Sequence, residues 1–299
     1  MRKFIIDTDI GADADDVVAL GYLLKKANSG LCEVSAVTIC SARDKAENCV
    51  YSVLKEYGKS DIPVGKYDGT PLECDKNDNY AAGMATAGVK TRNAVKLMRK
   101  ILAENDKTDI ICIGPMVNLE GLLKSVADEF SPLSGIELVK EKVGKTYVMG
   151  FSFEENEKGF VEWNIEQSVS SARYVVENYP SEILFSPFEV GTKVDFYLKN
   201  AFGTVRQSLE LFFEKIDLRS GKNYVYDPER TRPCWDPVTV YAAFNESDLV
   251  LSEKGKVIAD ERGVSVLKPE KQGKHRYLSL KNDFKKIEYE INSYMMKKV

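Results

Sequence analysis

Histidine is almost missing from this chain: His275 is the only one in 299 residues. It lies in a late hairpin region and reads as structural, and no second histidine is present to act as acid or base. Metal-type cysteine pairs are missing too. The six cysteines (Cys32, Cys40, Cys49, Cys74, Cys112, Cys234) are scattered, with no CxxC and no zinc-type spacing. Cys32, Cys40 and Cys112 sit in apolar, strand-like contexts and are expected to be buried free thiols. No stretch approaches the roughly 20 apolar residues of a membrane span. Behind Met1-Arg2-Lys3, Asp7 interrupts after three hydrophobic residues, so no secretion signal is read. A cytoplasmic protein with no membrane partner is expected. Positive charge is not in excess: 42 basic against 46 acidic residues give a net charge of −4. That argues against an extended nucleic-acid surface, although not against binding one nucleoside. Repeats, low-complexity tracts and linkers are absent, so residues 1–299 are expected to form one domain.

What the chain does have is an acidic opening. Phe4-Ile5-Ile6 runs into Asp7-Thr8-Asp9-Ile10-Gly11-Ala12-Asp13-Ala14-Asp15-Asp16, five carboxylates in ten residues. A strand-to-helix turn needs one capping Asp or Ser. Asp15 and Asp16 could serve the positive end of a helix dipole, but capping explains at most two of the five. So many like charges in one turn call for a positive partner, and a hard, oxygen-seeking cation such as Ca²⁺ or Mg²⁺ is the simplest one.

Apolar runs alternate with helical patterns through the first two thirds. Strands are expected at Lys3–Ile6, Val34–Ile39, Ile62–Val64, Asp109–Ile113, Lys145–Met149 and Glu182–Phe185. Helices are expected at Val17–Lys26, Lys45–Tyr57, Asn93–Leu102 and Asp236–Phe244, the last opened by Asp at the cap and Pro in the first turn. The alternation implies an α/β fold: a Rossmann-like, open, mostly parallel sheet flanked by helices, with right-handed crossovers. Lys256–Ala259, Val264–Leu267 and Tyr277–Leu280 read as a small antiparallel element, followed by a C-terminal helix over about Asp283–Met296. Ligands of open parallel sheets bind beyond the carboxyl ends of the strands, where the acidic cluster, Gly114-Pro115 and Met149-Gly150 all fall.

Later segments offer what an acidic metal site needs. Ile113-Gly114-Pro115 brings strand-end carbonyls; Asn156 and Glu162-Trp163-Asn164 bring amides and a carboxylate suited to sugar hydroxyls; Trp235-Asp236-Pro237 adds a carboxylate beside an aromatic. In this order the pattern DxDxGxDxDD, IGPMVNLEGLL at 113–123, VMG at 148–150, EWNIEQS at 162–168 and WDPVTV at 235–240 resembles the nucleoside hydrolases, over residues 3 to about 245. These are Ca²⁺-dependent N-ribohydrolases that cleave nucleosides to base and ribose.

The resemblance implies roles. Asp9 matches the metal-bound aspartate that orients and deprotonates the attacking water, and Asp16 the ligand that ends the motif. Ile113 stands where a backbone carbonyl binds the metal, and Asp236 is the last protein ligand, also touching ribose. Asp15 matches the carboxylate that grips ribose hydroxyls; Asn156, Glu162 and Asn164 align with the ribose-binding triplet, and Met149 falls near a ribose-contacting methionine. The substrate would be a nucleoside or other riboside, and the assembly a homo-oligomer, dimer or tetramer. The chain also departs from the family pattern. Its opening loop is two residues longer than the short form, including Asp13. Cys40-Ser41-Ala42 lacks the Gly-Asn many members carry. Trp235 stands where well-studied members have the histidine that helps protonate the departing base, so it could stack on the base, accompany a different glycoside, or pack the domain. Tyr224 and Tyr226 are weak substitutes as proton donors. Losing a positioned general acid costs about 10²–10⁴-fold, so two alternatives stay open. One is a Ca²⁺-dependent riboside binder without turnover. The other rests on the opening itself, since a strand ending in Asp-x-Asp also opens the haloacid-dehalogenase-like phosphatases, with Asp7 as nucleophile, although Gly11 stands where that class has Thr or Val.

Overall fold

A computed structural model describes residues 1–76, 79–84, 90–154, 159–281 and 284–297. In chain order the first half holds β1 (Arg2–Thr8), α1 (Asp15–Asn28), β2 (Cys32–Ile39), α2 (Ala46–Glu56), β3 (Val64–Lys66), β4 (Arg92–Asn93), α3 (Ala94–Glu104), β5 (Thr108–Cys112), α4 (Val117–Lys124), α5 (Gly135–Lys142) and β6 (Val143–Met149). The second half holds α6 (Trp163–Gln167), α7 (Val169–Asn178), β7 (Ile183–Ser186), α8 (Phe188–Gly191), β8 (Asp195–Tyr197), α9 (Gly203–Arg219), β9 (Thr231–Pro233), α10 (Trp235–Phe244), β10 (Leu249–Leu251), β11 (Gly255–Ala259), β12 (Ser265–Pro269), β13 (Arg276–Leu280) and α11 (Phe284–Met296).

Nine strands form one sheet in the order β10-β13-β7-β6-β5-β1-β2-β3-β4. Every neighbouring pair is parallel except β10 with β13. β1 lies between β2 and β5, and helices pack on both faces of the sheet there, which is why its apolar residues run without interruption. Side chains alternate across the sheet. Phe4 and Ile6 enter a core with Leu20 of α1, Val205 of α9, Val240 of α10 and Ile291 of α11. Ile5 enters the opposite one with Leu97 of α3, Leu122 of α4, Leu138 of α5 and Val175 of α7.

The C-terminal strands divide differently from the sequence expectation. β11 and β12 pair as an antiparallel hairpin, with Gly263 at φ +99° in its turn. Tyr277–Leu280, expected in that small element, belongs to β13, which runs parallel to β7 in the main sheet and carries β10 at the edge. His275 explains the docking. It is buried, its Nδ1 accepts the Ile183 N–H at 3.1 Å, and its Nε2 faces the Val176 carbonyl at 3.1 Å. The ring thus ties the start of β13 to the start of β7. Unpaired buried groups cost about 1–3 kcal/mol each, so His275→Ala should lower the urea midpoint while leaving the cleft described below unaltered. An unchanged midpoint would show that the tie contributes nothing. Five cysteines (Cys32, Cys40, Cys49, Cys112, Cys234) are buried free thiols. Among the described residues no helix is long and apolar enough to cross a membrane.

Candidate active site

The carboxyl ends of β1, β5 and β6 open into a cleft of about 360 Å³, completed by α1, α6, α9 and α10. Its loops are laced to β1: the Cys40 N–H donates to the Thr8 carbonyl at 2.9 Å and the Ile113 N–H to the Asp7 carbonyl at 2.8 Å. This brings Gly114 against Asp9. A Cβ at 114 would lie 2.7 Å from Asp9 Oδ1 and 2.6 Å from Cys40 Sγ, so only glycine lets the two loops approach this closely. Overpacking of this kind costs about 1–3 kcal/mol. Gly114→Ala should therefore melt earlier and lose activity by displacing Asp9; native melting and native turnover together would contradict that packing.

Asp9, Asp15, Asp16, Ile113, Met149, Glu162, Asn164, Trp235 and Asp236 all line this one cleft. Asn156 lies outside the described residues. Asp15, Asp16 and Asp236 carry oxygens within 4.8 Å of one another, and all three residues are buried. Asp15, which the resemblance assigned to ribose, is therefore a member of the tight trio, while Asp9 stands in the same cleft outside it. Neither acid caps its own helix: Ala14 is the N-cap of α1, and the N–H groups of Ala14 and Asp15 are met by Asp13 Oδ1 at 2.6 Å and 3.4 Å. Instead Asp15 Oδ2 accepts the backbone N–H of Asp236 at 3.0 Å. Asp236 is not the cap of α10 either; that position is Cys234, and Asp236 sits in the first turn. Thr8 Oγ1 donates to Asp16 Oδ1. Two helix N-termini, of α1 and α10, thus meet at the trio, and their dipoles favour negative charge there.

Burial, followed by repulsion from neighbouring acids (Asp13 on Asp15, Asp9 on Asp16, Asp15 on Asp236), pushes Asp15, Asp16 and Asp236 well above the usual carboxylate range. Burial raises Asp9 to about 6, against the pull of Arg43. An all-oxygen, carboxylate-rich set in which each acid resists ionisation for want of positive charge suits a hard divalent cation. The Ile113 carbonyl is close by, with Asn164 Nδ2 at 3.5 Å from its oxygen. Asn164 Nδ2 also approaches Met149 Sδ at 3.2 Å. The Glu162 carboxylate accepts the N–H groups of Asn164 at 2.9 Å and Ile165 at 3.3 Å, yet burial still raises it to about 8. Phe151, at φ +67°, turns the chain after β6 beside it.

Other candidates fall away. Asp7 does not line the cleft. It is fully buried, accepts Thr38 Oγ1 at 2.6 Å and Asn118 Nδ2 at 2.8 Å, and is raised to about 7 by burial. A nucleophile needs access to its substrate, so the phosphatase alternative is set aside. Tyr224 and Tyr226 are not among the cleft residues. Trp235 is, but its indole N–H is committed to the Phe188 carbonyl at 3.0 Å and Thr192 Oγ1 at 3.1 Å. Its ring stacks on Phe188 at 5.6 Å and 20°. Gly191 makes the fit possible, since a Cβ there would lie 2.3 Å from Trp235 Cα. Three arginines, Arg43, Arg219 and Arg232, also line the cleft and were missed in the sequence. Their only early signal was the surplus acid Asp13, which pairs with Arg232 across 219 positions.

Among curated proteins no sequence matches this chain significantly. Among solved structures, an inosine-uridine preferring nucleoside hydrolase from Bacillus anthracis is 17% identical and superposes with a TM-score of 0.72 over 100% of both chains. A purine-preferring ribonucleoside hydrolase from Gardnerella vaginalis is 16% identical, with a TM-score of 0.72 over 99% of each chain. The type III effector protein XopQ, complexed with adenosine diphosphate ribose, is 14% identical, with a TM-score of 0.75 over 99% of this chain and 93% of that one. At such identities the likeness speaks for the fold. The family model for inosine-uridine preferring nucleoside hydrolases matches residues 4–287, so this chain belongs to that family of glycosidases, which act on N-glycosidic bonds.

Proposed function

We propose that the protein is a Ca²⁺-dependent hydrolase that cleaves the N-glycosidic bond of a ribonucleoside to free base and ribose. The observation that carries this reading is the buried trio Asp15, Asp16 and Asp236 sharing one cleft with Asp9, Glu162 and Asn164. Asp16, Asp236, the Ile113 carbonyl and Asp9 would hold the cation, and the position of Asp15 makes it a further candidate ligand. When bound, Ca²⁺ supplies positive charge for the carboxylates and Lewis acidity toward oxygen. Asp9 orients the attacking water and takes its proton. Asp15, Asn156, Glu162, Asn164, Met149 and Asp236 hold the ribose, the carboxylates favouring the positive charge that grows on the sugar as the bond breaks. Nucleoside salvage in the cytoplasm by a homo-oligomer is the setting that goes with this chemistry.

A second reading is a riboside-binding protein without turnover. It is favoured by the commitment of the Trp235 N–H to Phe188, which leaves that residue no proton to donate. Free-base release, followed by chromatography across purine and pyrimidine ribosides and an activated aryl riboside in Ca²⁺, separates the two. Release from the ribosides supports the hydrolase; calorimetric binding with no release from any of them supports the binder.

A further inference from the structure

Asp13 has no part in the chemistry above, yet it is one of the best-fixed acids in the cleft. Arg232 Nε donates to Asp13 Oδ1 at 2.8 Å, and Arg232 Nη2 donates to Asp13 Oδ2. This is the two-pronged carboxylate–guanidinium pairing that fixes direction as well as charge. The guanidinium carbon also lies 5.0 Å from the Phe212 ring and 4.9 Å from the Trp235 ring. Asp13, Phe212, Arg232 and Trp235 all face the cleft that holds Asp9 and Asp236, and the Arg232 side chain is 24% exposed there. Of the five guanidinium N–H groups, the Asp13 fork occupies two; the Nη1 pair lies outside it.

On the hydrolase reading, a flat base would lie against the aromatic faces beside Arg232, those of Phe212 and Trp235. The described lining residues there include no histidine or tyrosine, and the Trp235 N–H is taken. A guanidinium keeps its proton at any working pH but offers charge and directed N–H groups.

Resting on the hydrolase reading, we propose that Arg232, clamped by Asp13, is the group that stabilises the leaving base, and that the base departs as an anion. The C1′–N bond breaks with its electron pair remaining on the base nitrogen. Water oxygen bonds to C1′ and Asp9 takes the water proton, while the Arg232 N–H groups outside the Asp13 fork donate to the anionic base until it leaves and takes a proton from solvent; Asp9 then gives its proton back to solvent. Substrates are therefore ribosides of oxo-substituted bases, whose charge spreads onto a carbonyl oxygen. Amino-substituted bases that must be protonated on the ring before they leave are poor substrates. Asp13 is a positioning residue.

The test combines kinetics with a spectrum. For Arg232→Ala, kcat/KM for an oxopurine riboside should fall about 10²–10³-fold, the usual loss on removing one anion-stabilising donor. For an aryl riboside with a good leaving group the fall should be much smaller. Arg232→Lys should recover part of the loss, and Asp13→Asn should reproduce part of it. The native enzyme should show no alkaline loss of kcat/KM from a leaving-group acid below about pH 10, because arginine does not titrate there. The ultraviolet spectrum of a free oxopurine bound at pH 7 should be that of the monoanion in the native protein and of the neutral base in Arg232→Ala. Equal losses for good and poor leaving groups, or a neutral base bound to the native protein, overturn the proposal. Absence of cleavage of every riboside would instead sink the hydrolase reading, and the bound-base spectrum would still judge Arg232.

Discussion

Asp9→Asn should reduce base release about 10²–10⁴-fold, the range for loss of a positioned proton acceptor, and should do so without unfolding the protein. Asparagine keeps the shape that fits against Gly114 but cannot accept a proton from water. The same change removes a buried charge. Because Asp9 is raised to about 6 by burial, its ionised form opposes folding when no cation is bound. In a chelator at pH 8 the variant should therefore melt above the native protein while being far less active. Turnover at the native rate with an asparagine at position 9 would remove Asp9 from the reaction. A variant that melts below native in chelator would show that the carboxylate stabilises the fold, contrary to its burial.

The second large effect is withdrawal of the cation. A metal's contribution of several kcal/mol to the reaction barrier, at about 1.4 kcal/mol per decade, amounts to roughly 10²–10³-fold or more in rate. Stability should follow suit. A ligand at a hundred times its dissociation constant stabilises by about 2.7 kcal/mol, or roughly 5 °C in melting temperature for a chain of this size. The pH dependence has a definite sign. Asp9 at about 6, Asp7 at about 7 and Glu162 at about 8 bind protons in the folded state that the unfolded chain has already released near the ordinary carboxylate values. Stability without the cation therefore falls as pH rises from about 4 to 8. Added Ca²⁺ should raise melting most at the alkaline end, where the carboxylates are free of protons. A pH-independent melt in chelator, or a Ca²⁺ shift larger at pH 5 than at pH 8, would contradict the account of the cluster.

The sequence was most readable where its signals are local. The uninterrupted Phe4-Ile5-Ile6 run, the five acids behind it and the Gly114-Pro115 break each reflect a requirement met within a few residues: burial on both faces, charge compensation, close backbone approach. Their convergence followed from a general property of parallel sheets, whose strand ends share one rim. Long-range partnerships were not legible. Nothing around Thr231–Trp235 announces that Arg232 will meet Asp13, and nothing in α9 announces that Phe212 will lie beside that guanidinium. The buried residues of α9, Val205, Ser208, Leu209, Phe212 and Phe213, form a narrow and partly polar stripe, too faint for its 17 residues to stand out as a helix. β13 was misplaced for a related reason. A short strand such as Arg276–Leu280, two of whose five residues are Arg and Ser, reads the same whether its partner is the adjacent hairpin or β7, and the choice is made by the His275 hydrogen bonds rather than by strand propensity.

The most direct measurement is to run the reaction on an oxopurine riboside in ¹⁸O-water, with Ca²⁺ and with chelator, and to weigh both products. The account predicts base and ribose in equal amounts, one ¹⁸O at C1 of the ribose, none in the base, and a collapse of both products in chelator. Label-free ribose, a phosphorylated sugar, or full release in chelator would contradict it.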